Sequence, residues 1–275
     1  MAEYTSSKPR FQVISCGLPR TGTTTTGRAL SILLAGPVFD GGSDSFRGPP
    51  QRQRLLLSLA SLCPVRTSSD RILVLDHLRE LTEGCVASTD QPGCYFIEEL
   101  LELYPNAKVI CTTRERESWW ASYVALWSSI YELYTHPLLW LSPSLRRFCV
   151  FSFEFWRRVP QAVGMTNVNS PPWPMVHQEE LYERHAQYVR RVVPEGQLYF
   201  FDVRDGWAPL CNILGVEVPK EPFPHEFPRS WLTSGKAALV AKLRRRFALL
   251  LTVIGSVGFM FWRWKTGQRL FPMIF

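Results

Sequence analysis

The most constraining feature is a glycine loop set between a short apolar run and a helical pattern. Phe11–Cys16 is β-branched and apolar, as a buried strand requires, and Gly17-Leu-Pro-Arg-Thr-Gly22-Thr23-Thr24 follows it directly. A helix pattern then continues through Arg28-Ala-Leu. A loop of this kind presents backbone N–H groups and a helix N-terminus to an anion. Pro19 stiffens it, and the hydroxyls of Thr23–Thr26 add hydrogen-bond donors.

Three further apolar runs have the length of buried strands: Ile72–Leu75, Val109–Thr113 and Leu198–Val203. Helical patterns lie between them, including Tyr95–Leu103 and Gln178–Val193. Strands alternating with helices predict βαβ units, so the expected fold is α/β: a P-loop-type, doubly wound parallel sheet of four to five strands. A helical cap and a C-terminal hydrophobic helix complete it. Ligands of such sheets bind beyond the carboxyl ends of the strands.

The loop has the spacing G-x-x-x-x-G-K-[ST], except that Thr23 stands at the lysine position. Residues 1–235 contain only Lys8, Lys108 and Lys220, none of them in the loop, and its cation is Arg20. The missing lysine argues against ATP hydrolysis. A nucleotide kinase or NTPase reading would use Asp76, at the end of ILVLD, as a magnesium ligand.

Pro19–Thr24 resembles the 5′-phosphosulfate-binding loop of sulfotransferases that use 3′-phosphoadenylyl sulfate (PAPS). A second stretch agrees with it. Val109–Thr113 ends at Arg114, and Ser122 follows eight residues later, as in the family's 3′-phosphate pair. An arginine fork and a hydroxyl two turns into a helix can converge on one dianion. Asp90-Gln-Pro92 resembles the Asp-x-Pro of a sulfotransferase-like branch common in fungi and bacteria, where cytosolic members carry a catalytic His-x-Pro.

The resemblance implies cofactor binding by Pro19, Arg20, Thr21, Gly22, Thr23, Thr24, Thr25, Arg114 and Ser122. It implies catalysis by Asp90 and Arg20, with PAPS as co-substrate and no metal. Asp90 is read two ways, as general base toward an acceptor hydroxyl or as the N-cap of the following helix. Two departures stand out. Ser88 replaces a lysine of the cytosolic members, and their C-terminal Arg-Lys-Gly clamp is absent, which leaves a non-catalytic, membrane-anchored relative as an alternative reading.

Flanking the motifs, 36–70 reads as a mobile Gly/Pro/Ser/Arg-rich insertion. Residues 124–175 are aromatic-rich (Trp127, Tyr131, Tyr134, Trp140, Phe148, Phe151, Phe153, Phe155, Trp156), as either a helical cap or the wall of an apolar acceptor pocket. His185 reads as a helix-face residue, and Trp207 and Pro209 as the start of a helix on the sheet.

The formal charge is +7, from 31 basic and 24 acidic residues. Eight of the basic residues follow residue 235 with no acidic one among them, leaving 23 against 24 in the body. The excess charge therefore belongs to a tail, and it predicts no nucleic-acid partner. Phe247–Trp262 is an uncharged run, bracketed by Lys242–Arg246 and by Arg263 and Lys265. Its sixteen residues span about 24 Å as helix. Snorkelling arginines, a thin bilayer and interfacial Trp262 and Trp264 fit a single-pass membrane anchor.

The expected organisation is a catalytic domain over 1–235 and a basic-flanked anchor over 236–275. The basic excess on the N-terminal side of the run places the domain toward the cytoplasm. Seven scattered cysteines read as reduced core thiols, and polar Met1–Arg10 gives no secretory signal.

Overall fold

The computed structural model describes residues 10–165, 178–225 and 229–267. The polar segment before residue 10 and residues 166–175 of the aromatic stretch lie outside the described residues.

The elements are β1 Val13–Ser15, α1 Thr23–Leu33, β2 Val38–Asp40, α2 Gly41–Arg47, α3 Pro50–Leu62, α4 Ser68–Thr82, β3 Ala87–Thr89, α5 Ile97–Leu103, β4 Lys108–Thr113, α6 Arg116–Tyr134, α7 Pro143–Ala162, α8 Gln178–Val192, β5 Leu198–Asp202, α9 Trp207–Leu214 and α10 Arg229–Thr266. The five strands form one parallel sheet in the order β2-β3-β1-β4-β5. The central strand β1 pairs Ile14 with Ser88 on one side and with Val109 on the other. Chain excursions leave β1 in both directions, so its carboxyl end is the switch point of a doubly wound sheet.

Alternation along the strands divides the core into two layers. Val13, Ala87, Ile110 and Phe201 face α1 and α9. Ile14, Phe39, Val109 and Cys111 face the larger layer, with Leu56 of α3, Leu78 of α4, Leu100 of α5, Trp119 of α6, Phe155 of α7 and Val189 of α8. All seven cysteines are buried and free.

Two expectations are overturned. Ile72–Leu75 is not a strand but the second turn of α4. Thr67 and Asp70 form a reciprocal capping box that starts this helix, and Val74, Leu78 and Leu81 then recur at helical spacing on its buried side. Ile72 is 61% exposed, so the apolar run wraps around the helix rather than filling a core. Asp76 lies on the same helix, exposed and paired with Arg79 at 2.6 Å. That removes the magnesium-ligand reading.

The second correction concerns 36–70, which is ordered architecture. It holds β2, α2 and α3, with Asp40 capping α2 and Pro50 in the first turn of α3. The fifth and fourth strands of the sheet are thus β2 and β3, each three residues long and neither marked by an apolar run. β3 is Ala-Ser-Thr, and its small residues admit α1 closely. A Cβ at Gly27 of α1 would lie 2.9 Å from Thr89 Cγ2.

The expected helices at Gln178–Val193 and from Trp207 are present as α8 and α9. The Tyr95–Leu103 pattern is a 3₁₀ turn at Gly93–Tyr95 followed by α5. Helix α10 is apolar and long enough to cross a membrane over Ala237–Thr266. Every residue of Phe247–Trp262 is exposed.

Candidate active site

The carboxyl ends of all five strands open on one cavity of about 760 Å³. Its polar lining comes from the loop after β1 (Pro19–Thr25), the start of α2 (Gly42, Ser43), Asp90 and Gln91 after β3, Thr113–Glu115 after β4, and Asp202–Arg204 after β5. Every residue named from the sequence as a site residue lines it: Pro19, Arg20, Thr21, Gly22, Thr23, Thr24, Thr25, Asp90, Arg114 and Ser122.

The loop is shaped from within and tied from outside. Gly22 sits at φ 101°, a left-handed conformation that glycine adopts freely, and a Cβ there would lie 2.6 Å from Val203 Cγ1. Arg20 is also left-handed, at φ 76°. The Thr21 hydroxyl bonds the Leu18 carbonyl at 2.7 Å and the Thr112 hydroxyl at 2.5 Å. Trp119 Nε1 donates to the Pro19 carbonyl at 3.0 Å. Helix α1 then begins at Thr23 with no side-chain cap and no acidic residue in its first turn. Its positive end therefore faces the cavity uncompensated by a carboxylate from its own first turn.

Arg20, Arg114 and Ser122 meet beside this loop. Arg20 Nε donates to Ser122 Oγ at 3.0 Å, and Arg114 Nη1 donates to the Arg20 carbonyl at 3.1 Å. The Arg114 fork also grips Ser118 Oγ, from Nε at 3.1 Å and Nη2 at 2.8 Å. The Tyr182 hydroxyl accepts from the Arg114 amide and donates to the Arg114 carbonyl, at 3.2 and 2.9 Å. Ser118 and Ser122 lie one turn apart on α6, whose N-terminus Glu115 caps. Two guanidinium groups and two hydroxyls at a strand end and helix start suit a phosphate dianion.

Asp90 follows β3 in a left-handed conformation, φ 64°, three residues ahead of the 3₁₀ turn. It caps neither that turn, which opens at Pro92, nor α5, which opens at Phe96, so the N-cap alternative is set aside. Its carboxylate accepts from the Gln91 amide at 2.7 Å and from the Thr23 hydroxyl at 3.1 Å. Burial, reinforced by the nearby Asp40 carboxylate, pushes Asp90 up to about 7 against the opposing pull of Gln91, Thr23 and Arg20. A carboxyl tuned to that range can take a proton near neutrality.

Asp40 is a residue that sequence reasoning passed over. It ends β2, accepts from the Ser43 amide and hydroxyl, and is itself raised, first by burial. Gly42 separates the two carboxylates. A Cβ at that position would stand 2.6 Å from Asp90 Oδ2 and 3.4 Å from Asp40 Oδ1. The signal lay in Asp40-Gly-Gly, a cap followed by residues without side chains, inside a stretch taken for an insertion. Ser118, Tyr182 and Arg204 were also passed over.

Other expectations resolve simply. His185 is buried, with Nε2 3.2 Å from the Cys94 carbonyl, and does not line the cavity. Ser88 is buried within β3 and does not line the cavity. Of the aromatic stretch, Trp127, Phe148 and Phe151 line the cavity while Phe155 is buried beneath. The stretch is therefore both cap and wall.

Residues 12–230 match the sulfotransferase domain family. The chain belongs to this family. Within its sulfotransferase domain lie the glycine loop, Asp90 and the Arg114–Ser122 pair, at the strand ends where this α/β fold gathers them. A curated relative, the Ava biosynthesis cluster protein M of Aspergillus versicolor, is 33% identical over 139 residues. That alignment covers 50% of this sulfotransferase-family chain and 52% of the relative, so the chain spans about half the length of the protein it matches.

Proposed function

We propose that the protein transfers a sulfuryl group from PAPS to the hydroxyl of an apolar small molecule. The observation that carries this reading is convergence. Ten residues named from three separate stretches of sequence line a single cavity in a chain of the sulfotransferase domain family. The relative's name, which refers to a biosynthesis cluster, favours a small-molecule acceptor.

The residues present suit the co-substrate. The glycine loop from Pro19 to Thr25 and the uncapped start of α1 would hold its 5′-phosphosulfate, while Arg114, Ser118 and Ser122 would hold its 3′-phosphate. When bound, PAPS supplies the sulfuryl group, whose bond to the phosphate oxygen breaks as the acceptor oxygen bonds to sulfur. Arg20 and the α1 amides offset negative charge on the transferring and leaving groups. Asp90 accepts the hydroxyl proton, and Thr23 keeps the carboxylate oriented. The apolar wall of Trp127, Ile130, Phe148 and Phe151 receives the acceptor body.

We further propose that α10 anchors the protein in a membrane, with the domain on the cytoplasmic side. Its exposed run is apolar on every face and carries basic residues at both ends. We propose that the anchor proper begins after Arg246 rather than at residue 236: Leu243 is 1% exposed and packs with Leu133, Leu139, Leu145 and Cys149 of the body.

Thermal stabilisation by 3′,5′-adenosine bisphosphate, set against Mg–ATP, tests the activity. Selective stabilisation by the bisphosphate is expected. A response to Mg–ATP alone, or to neither ligand, rejects the sulfotransfer reading.

A further inference from the structure

The cavity follows one face of α6. Ser118, Ser122, Leu126, Ile130 and Leu133 recur at three- and four-residue spacing, and all of them line it. From Ser122 to Leu133 the helix advances about 16 Å at 1.5 Å per residue. The lining becomes mainly apolar along that path, with Ser129 among Leu126, Trp127, Ile130 and Leu133. The polar end holds Arg20, Arg114 and Asp90, and the more aliphatic end reaches Leu133, where Phe46 packs and Arg47 follows it.

Leu133 also belongs to the cluster that contains Leu243 of α10, with Leu239 and Val240 packed against it. Leu239 itself lines the cavity. The helix proposed as the anchor therefore supplies part of the wall at the aliphatic end. Eight residues, about 12 Å of helix, separate Leu239 from Phe247, where the exposed apolar run begins. Lys242 and Arg244–Arg246 occupy that interval, at the height where lipid headgroups would lie. Arg246 Nη1 reaches the Leu141 carbonyl at 3.4 Å, so the basic cluster is tied to the body.

Building on the proposed sulfotransfer, we infer that the acceptor is an elongated alcohol dissolved in the bilayer. It enters the cavity at the Leu239–Leu133 end and presents its hydroxyl to Asp90 at the other. The occupant of the α10 surface is the bilayer, because the exposed run is uncharged on every face and its basic flanks match anionic headgroups. The aliphatic end of the cavity lies just over two turns of α10 from that run, and its length suits a chain rather than a compact ring. Anchor and acceptor site thus form one device, in which α10 holds the cavity mouth at the surface that stores the substrate.

The test uses the full chain in phosphatidylcholine–phosphatidylglycerol vesicles containing hexadecanol with a mid-chain diazirine, followed by irradiation and mapping of adducts. Adducts are expected on cavity residues of α6 and α7, around Leu126–Leu133 and Phe148–Phe151, as well as on 247–262. Leu239→Trp and Leu126→Trp, which add bulk to the lining from α10 and from α6, should each cut the cavity adducts at least fivefold and leave the anchor adducts unchanged. Adducts confined to 247–262 overturn the inference, as do cavity adducts that neither variant reduces. Stabilisation by 3′,5′-adenosine bisphosphate, read on the same preparations, reports folding and the sulfotransfer reading separately. Stabilisation with no cavity adducts rejects the bilayer route alone, and cavity adducts without stabilisation reject sulfotransfer alone. The wild-type map decides the question even if one variant does not fold.

Discussion

The Thr23 hydroxyl donates to Asp90 Oδ2 at 3.1 Å, joining the first residue of α1 to the residue that follows β3. Sixty-seven positions separate them in sequence. The bond couples the glycine loop to the candidate base, and it makes Asp90 the natural first target for substitution.

Asp90→Asn keeps the size of the side chain and removes the proton acceptor. Turnover should fall by about 10²–10⁴-fold, while stabilisation by the bisphosphate remains. Equal activity in the variant would exclude Asp90 as the base.

The same variant has a signature in stability. Asp90 titrates near 7 in the folded state, above the ordinary value of about 3.9. The folded protein therefore binds this proton more tightly than the unfolded chain, and stability from this group declines as pH rises from about 4 toward 7. Asp90→Asn should melt progressively higher than wild type across that window, with the difference level above pH 7. Melting curves at pH 5 and 8 measure it, and a gain that shrinks as pH rises contradicts the assignment.

Asp40→Asn removes the negative neighbour that helps to raise Asp90, and asparagine still caps α2. The acid limb of kcat/KM should move to lower pH with little change in the plateau. A limb that stays in place means that burial alone sets the Asp90 value.

Arg114→Ala removes the fork on Ser118 and the bond to the Arg20 carbonyl together. Hydrogen bonds to charged groups contribute about 1.5–3 kcal/mol each, so bisphosphate affinity should fall by at least about tenfold. Calorimetric titration checks it. Unchanged affinity would place the 3′-phosphate elsewhere.

Truncation separates anchor from body. A chain ending at Arg246 keeps Leu243 in its cluster and should be extracted by carbonate while retaining its melting temperature. A chain ending at residue 235 loses that buried leucine, worth about 2–3 kcal/mol, and should melt lower. If full chain and Arg246 truncation extract equally, the anchor proposal fails.

Much of the site could be read from the sequence because its groups sit at strand ends with local signatures. Gly22 must be left-handed, Arg20 is the loop's cation, and Arg114 and Ser122 stand a strand end and two helical turns apart. Asp40 escaped because a three-residue edge strand in a polar stretch carries no periodicity. Ile72–Leu75 misled for the opposite reason: a short apolar run suits strand or helix equally, and the capping box at Thr67 decided it.

By itself the sequence determined the parallel α/β class, the glycine loop, ten of the residues that line the cavity and the apolar run near the C-terminus. These rest on local chemistry, where φ angles, caps and hydrophobic period act over a few residues. Only the tertiary structure decided that Asp40 stands beside Asp90, that Arg20 meets Ser122, and that Leu239 of α10 lines the same cavity. Each of these is a meeting of segments distant in sequence. Packing against a common sheet edge brings them together, and no local pattern records it.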